Sequence, residues 1–276
     1  MKRFAEMHFD NCPAGGQGRK RNLGDVEAFL EFAVKKAGAP QRWLPPDKEF
    51  KRTLIGSSTR TSAEALTVPV KGQDLEMLLE GLASNEKHGL RLCVGLIGLF
   101  GLRPSELGEL TVEGGKLYVG TTKRNMQTLH KPKAPPRRVI AIDWPSLPNE
   151  GERLIRQYES GIIKLPLAIN RAIERAKKKQ EFKEVGDALR QLLQRYWLWQ
   201  SMEKRTQGLK VYSLRHGFAW RAHKESDNPL SVRDAAAFMG HDPTTNLKHY
   251  GRWGDEDGLE EATAKFKEGQ KVQVRN

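Results

Sequence analysis

The spacing of apolar residues divides this chain into segments of different character. Residues 1–24 are Gly-rich and basic with no sustained period, which predicts a mobile arm. In "GDVEAFLEFAVKKAG" (24–38), Val26, Phe29, Leu30, Ala33 and Val34 recur at helical spacing and predict a helix. Residues 39–72 are rich in Pro, Ser and Thr and read as an extended linker, with a domain boundary near residue 66. "GQDLEMLLEGLAS" and "HGLRLCVGLIGLFG" then predict two helices, the second apolar nearly all round and so a core helix. "PSELGEL" reads as a short helix with Pro104 in its first turn. "GGKLYVGTTKR" and "PPRRVIAIDW" carry β-type residues, Leu117, Val119, Val139, Ile140 and Ile142, and predict two strands joined by a basic hairpin excursion. From about 151 to 205 the helical rhythm returns, and "SLRHGFAWRAHK", "SVRDAAAFMG", "PTTNLKHY" and "LEEATAKFKEG" extend it to the C-terminus. The expected fold is mainly α with a small antiparallel β-sheet, and no internal repeat is visible.

Composition narrows this picture in a few places. The length allows one large domain or two modest ones, and the apolar content suits a folded soluble protein. The longest apolar run, "LCVGLIGLFGL" (92–102), is too short to span a bilayer, and the N-terminus lacks the apolar stretch of a signal peptide. Cys12 and Cys93 lie far apart with no metal-ligand spacing, so neither metal nor disulfide is expected and the cytoplasm is the default compartment. Charge changes the picture more: 47 Lys+Arg against 34 Asp+Glu give a net charge of +13. The excess gathers at 18–21, 121–138 and 171–179, as a phosphate backbone would require. A solvated basic surface would look the same.

Three segments hold groups suited to phosphate chemistry. In "GLFGLRPSELGEL", Glu106 follows Arg103 by three residues and can orient its guanidinium; taken singly, the pair is most simply a helix-capping ion pair. In "VYSLRHGFAWRAH", Arg215 sits at the edge of the apolar face made by Leu214 and Phe218, flanked by His216 and, one turn earlier, Tyr212. It is either snorkelling or held rigidly toward an anion. In "MGHDPTTNLKHYGRW", His241 precedes Tyr250 by nine residues; singly, these are a helix-end cap and a packing residue.

In this order the three segments resemble the boxes of the tyrosine recombinase (phage integrase) family. "GLRPSELGEL" matches the first box, "YSLRHGFA" the second from Leu214 onward, and "MGH" with "TTNLKHY" the third, over roughly residues 67–255. The resemblance implies the family's catalytic-domain fold for 67–276, preceded in 1–66 by an arm, helix and linker that form a reduced or partial core-binding region. It implies a site-specific recombinase or integrase, acting in mobile-element integration or excision, that cuts and rejoins double-stranded DNA through a 3′-phosphotyrosine, without metal or cofactor. Tyr250 would be the nucleophile, with Arg103 and Arg215 a bidentate clamp on the non-bridging oxygens. Lys123 on the hairpin would be the general acid, with Lys131 and Lys133 as other candidates in the same excursion. His241 would hydrogen-bond the phosphate, with Glu106 and His216 in support. It also implies a homo-oligomer, a tetramer, on DNA, and residues 256–270 resemble a terminal helix that docks on a neighbouring protomer; packing within its own chain fits the pattern equally. Tyr212 departs from the family, which carries histidine there. A phenol can hydrogen-bond phosphate, but near neutral pH it is a poor general base, which bears on rate and pH dependence. Three alternatives remain: a DNA-binding relic impaired in strand transfer, a type IB topoisomerase, and a basic helical protein without catalysis.

Overall fold

The computed structural model describes residues 1–9, 12–57, 68–122, 132, 134–226 and 229–250, and only the backbone of residues 8, 246 and 248–250. The chain divides into two compact units, residues 1–66 and 67–276.

In the first unit, α1 (Lys2–His8), α2 (Gln17–Lys36) and α3 (Lys48–Ile55) are joined by a short 3-10 turn, Gln41–Trp43. Ala5, Phe9 and Leu23 are buried together, with Phe4, Leu54 and Ile55 packed against them. That small core explains why residues 1–24, expected as an arm, are largely helical: Ala5 and Phe9 find apolar partners distant in sequence. The guanidinium of Arg19 adds a contact 4.5 Å from the Phe9 ring centroid and donates from Nε to the Cys12 carbonyl at 3.0 Å. The expected extended linker likewise holds α3, because Asp47 caps it by accepting from the Phe50 amide at 2.8 Å.

The second unit is organised around α5 (His88–Phe100), in which every residue from Leu90 to Phe100 is buried. α4 (Gly72–Ser84), α6 (Glu150–Ser160) and α10 (Tyr212–Trp220) pack on it. Two glycines permit the close approach: a Cβ at Gly95 would meet Leu154 of α6, and one at Gly98 would meet Leu75 of α4. α7 (Leu167–Lys179), α8 (Lys183–Gln194) and α9 (Trp197–Arg205) fill the region read as helical. Ile169, Val185, Leu189, Leu193 and Trp199 of these helices join the same core. α10 runs into a π-turn, Arg221–Glu225, and α11 (Val232–Met239) and α12 (Pro243–Tyr250) follow.

The sheet is β1 (Leu110–Glu113), β2 (Lys116–Val119) and β3 (Arg137–Arg138), antiparallel in that order. Gly114 and Gly115, both at positive φ, make the two-residue turn that pairs Glu113 with Lys116. "PSELGEL" is therefore a 3-10 turn, Pro104–Gly108, leading directly into a strand. β3 is shorter than expected, because the Ile142 amide bonds to the Leu99 carbonyl at the end of α5 rather than to β2.

Candidate active site

The site begins where α5 stops. Gly101 takes the left-handed conformation at φ +65° and reverses the chain. A Cβ there would run into the Phe218 ring, so only glycine lets α10 lie this close. The 3-10 turn that follows is closed by Glu106, whose carboxylate accepts from the Arg103 amide at 2.7 Å. The same carboxylate gathers three guanidiniums. Arg103 Nη1 donates to Oε1 at 2.6 Å and Arg137 Nη2 to Oε2 at 2.8 Å, while Arg215 Nη1 lies 3.7 Å from Oε2. Glu106 is 1% exposed. Burial by itself pushes its carboxyl up, but the positive charges of Arg137, Arg215 and Arg103 outweigh that, and the group is held below the usual carboxylate range.

The second anchor is the C-terminus of α11. Its last carbonyls have no partners within the helix, and arginines take three in succession. Arg137 Nε donates to the Phe238 carbonyl at 3.1 Å, Arg215 Nη2 to Met239 at 2.6 Å, and Arg103 Nη2 to Gly240 at 3.0 Å. Cations at this end also complement the helix dipole. Gly240, at φ +63°, turns the chain so that the His241 amide bonds back to Ala236 at 2.9 Å. His241 Nε2 then lies 2.6 Å from Arg215 Nη2. A guanidinium only donates, so this contact uses the Nε2 lone pair of a neutral ring. Asp242 opens α12 by accepting from the Thr244 amide at 2.9 Å and from its hydroxyl at 2.5 Å, and α12 ends at Tyr250.

No protein-family model matches the sequence, and no curated protein matches it. Solved structures do. The XerH site-specific recombinase bound to its palindromic difH substrate, in a post-cleavage complex, aligns with a TM-score of 0.54 at 13% identity, over 96% of this chain and 71% of that one. The XerA recombinase aligns with a TM-score of 0.47 at 16% identity, over 88% of this chain and 82% of that one. The protelomerase TelA, covalently complexed with substrate DNA, aligns with a TM-score of 0.34 at 17% identity, over 82% and 81%. With the helical unit and its three-stranded sheet, the XerH likeness decides the fold. This is a tyrosine recombinase fold.

Within the tyrosine recombinase fold, Arg103, Glu106, Arg215 and His241 come together through direct contacts. Tyr212 begins α10 and is 37% exposed, its ring centroid 5.0 Å from that of the buried His216 and 6.0 Å from the Arg215 guanidinium carbon. Tyr212 and Arg103 line a cleft of about 720 Å³ together with Ser105, Thr122, Lys183 and Lys210. Lys123, Lys131 and Lys133 lie outside the described residues, as does the segment 256–270; for Tyr250 the backbone is described and the side chain is not.

Two features differ from the sequence reading. Arg215, expected as half of a bidentate clamp on phosphate, is 0% exposed, and protein atoms hold its guanidinium from several sides: the carbonyls of Gly101 and Met239, and the His241 ring. The cations facing outward are Arg103 and Arg137, whose side chains are 25% and 21% exposed. Arg137 was not singled out from sequence. The one signal for it was alternation in "PPRRV": next to buried Val139, Arg138 faces solvent and Arg137 turns inward.

Proposed function

We propose that this chain is a DNA strand transferase of the tyrosine recombinase type, cleaving and rejoining duplex DNA through a 3′-phosphotyrosine at Tyr250. The observation that carries the reading is the Glu106 cluster, which collects Arg103, Arg137 and Arg215 from distant segments onto one buried carboxylate, with the His241 ring against Arg215. The fold likeness to a recombinase solved on its DNA substrate supports the same partner, as does the net charge of +13. In-line attack by the Tyr250 phenol oxygen forms the P–O bond to tyrosine and breaks the bond to the 5′-oxygen, which takes a proton from a general acid, Lys123 in this reading. Negative charge on the non-bridging oxygens is met by guanidiniums already fixed in place, so little reorganisation is needed as the charge builds. The phosphate meets Arg103 from the open side and reaches Arg215 once the His241 side of that guanidinium yields. Attack by another strand's 5′-hydroxyl reverses the step and completes recombination, the bond energy having been kept in the phosphotyrosine. In this reading residues 1–66 belong to a core-binding region, the active assembly on DNA is a tetramer, and the protein acts in the cytoplasm.

Sequencing the flanks of the encoding gene for direct repeats identifies the attachment site to be used in the test. A nicked suicide duplex of that site should give an SDS-resistant adduct with the wild-type chain and none with Tyr250→Phe. Absence of any wild-type adduct overturns strand transfer. A second reading, a DNA-binding relic of the same fold, is favoured by the enclosure of Arg215 and by Tyr212. It predicts salt-sensitive duplex binding with no adduct on the authentic site.

A further inference from the structure

We infer that Arg137 contacts DNA phosphate directly, sharing with Arg103 a small cleft that takes one phosphodiester group. The inference rests on the reading of the protein as DNA-acting. The cleft, about 370 Å³, is lined by Arg103, Arg137, Thr121, Thr122, Gly240 and Glu106. Both oxygens of Glu106 are already taken, Oε1 by Arg103 and Oε2 by Arg137 and the Arg103 amide, and its side chain is 2% exposed. The carboxylate therefore orients the arginines from behind and presents no free lone-pair face to an incoming anion.

Arg137 is held at two of its three nitrogens, Nη2 by Glu106 and Nε by the Phe238 carbonyl, while Nη1 has no hydrogen-bond partner among the described residues. Arg103 has the complementary pattern: Nη1 and Nη2 are engaged, and Nε is left over. Two guanidiniums that have already lost their rotational freedom thus keep one donor each, and the hydroxyls of Thr121 and Thr122 border the same space. One carboxylate facing three guanidiniums leaves a local charge excess that an anion would offset. Rigid, partly desolvated donors beside uncompensated positive charge suit a phosphate oxygen, and the planar arginine fork can hold the carboxylate and the anion at once. A lysine in this position would offer a point charge without the planar fork. Arg215, enclosed as it is, gives no such open face in this state.

Binding of the full chain to a 30-bp duplex, followed by fluorescence anisotropy across a salt series, tests this. Arg137→Gln should weaken binding several-fold and reduce the slope of log K against log[salt] by about 1, the signature of one lost phosphate contact. The same substitution is repeated in a Glu106→Gln background, where a residue acting only through Glu106 has nothing left to orient. The slope should again fall by about 1; an unchanged slope in that background overturns direct contact. If the Gln variants do not fold, Arg137→Lys decides: charge and slope are kept, and affinity falls several-fold because the fork is lost. Unchanged affinity in Arg137→Lys overturns the inference. Wild-type protein without salt-sensitive duplex binding would instead remove the DNA-acting reading itself, so the two failures are distinct.

Discussion

Replacing Glu106 by glutamine removes one negative charge and almost no volume. In the wild-type chain that charge faces guanidinium nitrogens at 2.6, 2.8 and 3.7 Å and is 1% exposed. Leaving cations without their buried partner costs about 3–5 kcal/mol. For a unit of this size each kcal/mol lowers Tm by about 2–4 °C, so the expected loss at pH 7 is about 6–20 °C. The pH dependence follows from the direction of the shift. The folded carboxyl titrates below the ordinary glutamate value of 4.5, so its contribution is complete above that pH and is lost as pH falls through the folded value. Below it the wild-type side chain is protonated and resembles glutamine, and the two proteins should converge. Differential scanning calorimetry from pH 7 down to pH 3 measures both effects. A loss under 2 °C at pH 7, or one undiminished at pH 3, would refute the claim that charge at Glu106 holds the cluster together.

Three other outcomes follow from the geometry. Gly101→Ala should lose about 2–4 kcal/mol, combining left-handed strain with collision against Phe218. Gly114→Ala, at φ +56° with no atom within 4 Å of the new Cβ, should lose about half as much, and equal Tm losses would contradict the collision. With Ellman's reagent the native protein should release one thiol equivalent, from half-exposed Cys12; Cys93 is fully buried, its thiol pushed up by desolvation, and should react only on unfolding. Tyr212→His puts an imidazole where the phenol begins α10 and should raise the rate of adduct formation on the order of 10²-fold near neutral pH. An unchanged single-turnover rate would show that this position takes no part in proton transfer.

The parts of this molecule legible in the sequence are those where one short segment carries its own signal. α5 was readable because it is apolar on all sides, and Arg103, Glu106, Arg215 and His241 because each sits in a distinctive local string. Tertiary context decided the rest. Leu110 closes the segment read as a short helix and Thr111–Glu113 were assigned to no element, although "VEGGKL" held the turn that makes Leu110–Glu113 a strand. The N-terminal residues gave no period, since Ala5 and Phe9 are buried by Leu23 and Ile55 rather than by neighbours on one helix face. Arg137 was hidden by abundance, as one cation in a basic stretch whose role depends on Glu106 and the Phe238 carbonyl. The enclosure of Arg215 was not legible at all, because it is made by carbonyls, which every residue has.

The Glu106 cluster also constrains how the chain acquires its site during synthesis. Its contacts span 31 residues from Glu106 to Arg137, 114 from Gly101 to Arg215 and 137 from Arg103 to Gly240. Each requires closing a long loop before any of its energy is gained. A nascent chain that has emerged only as far as α10 has brought out every arginine of the cluster but not the carbonyls of α11 that cap them. The site therefore cannot mature segment by segment with the emerging polypeptide. It is completed late, and a chain ending before α11 would hold its arginines on Glu106 without the carbonyls of Phe238, Met239 and Gly240 that fix their other side.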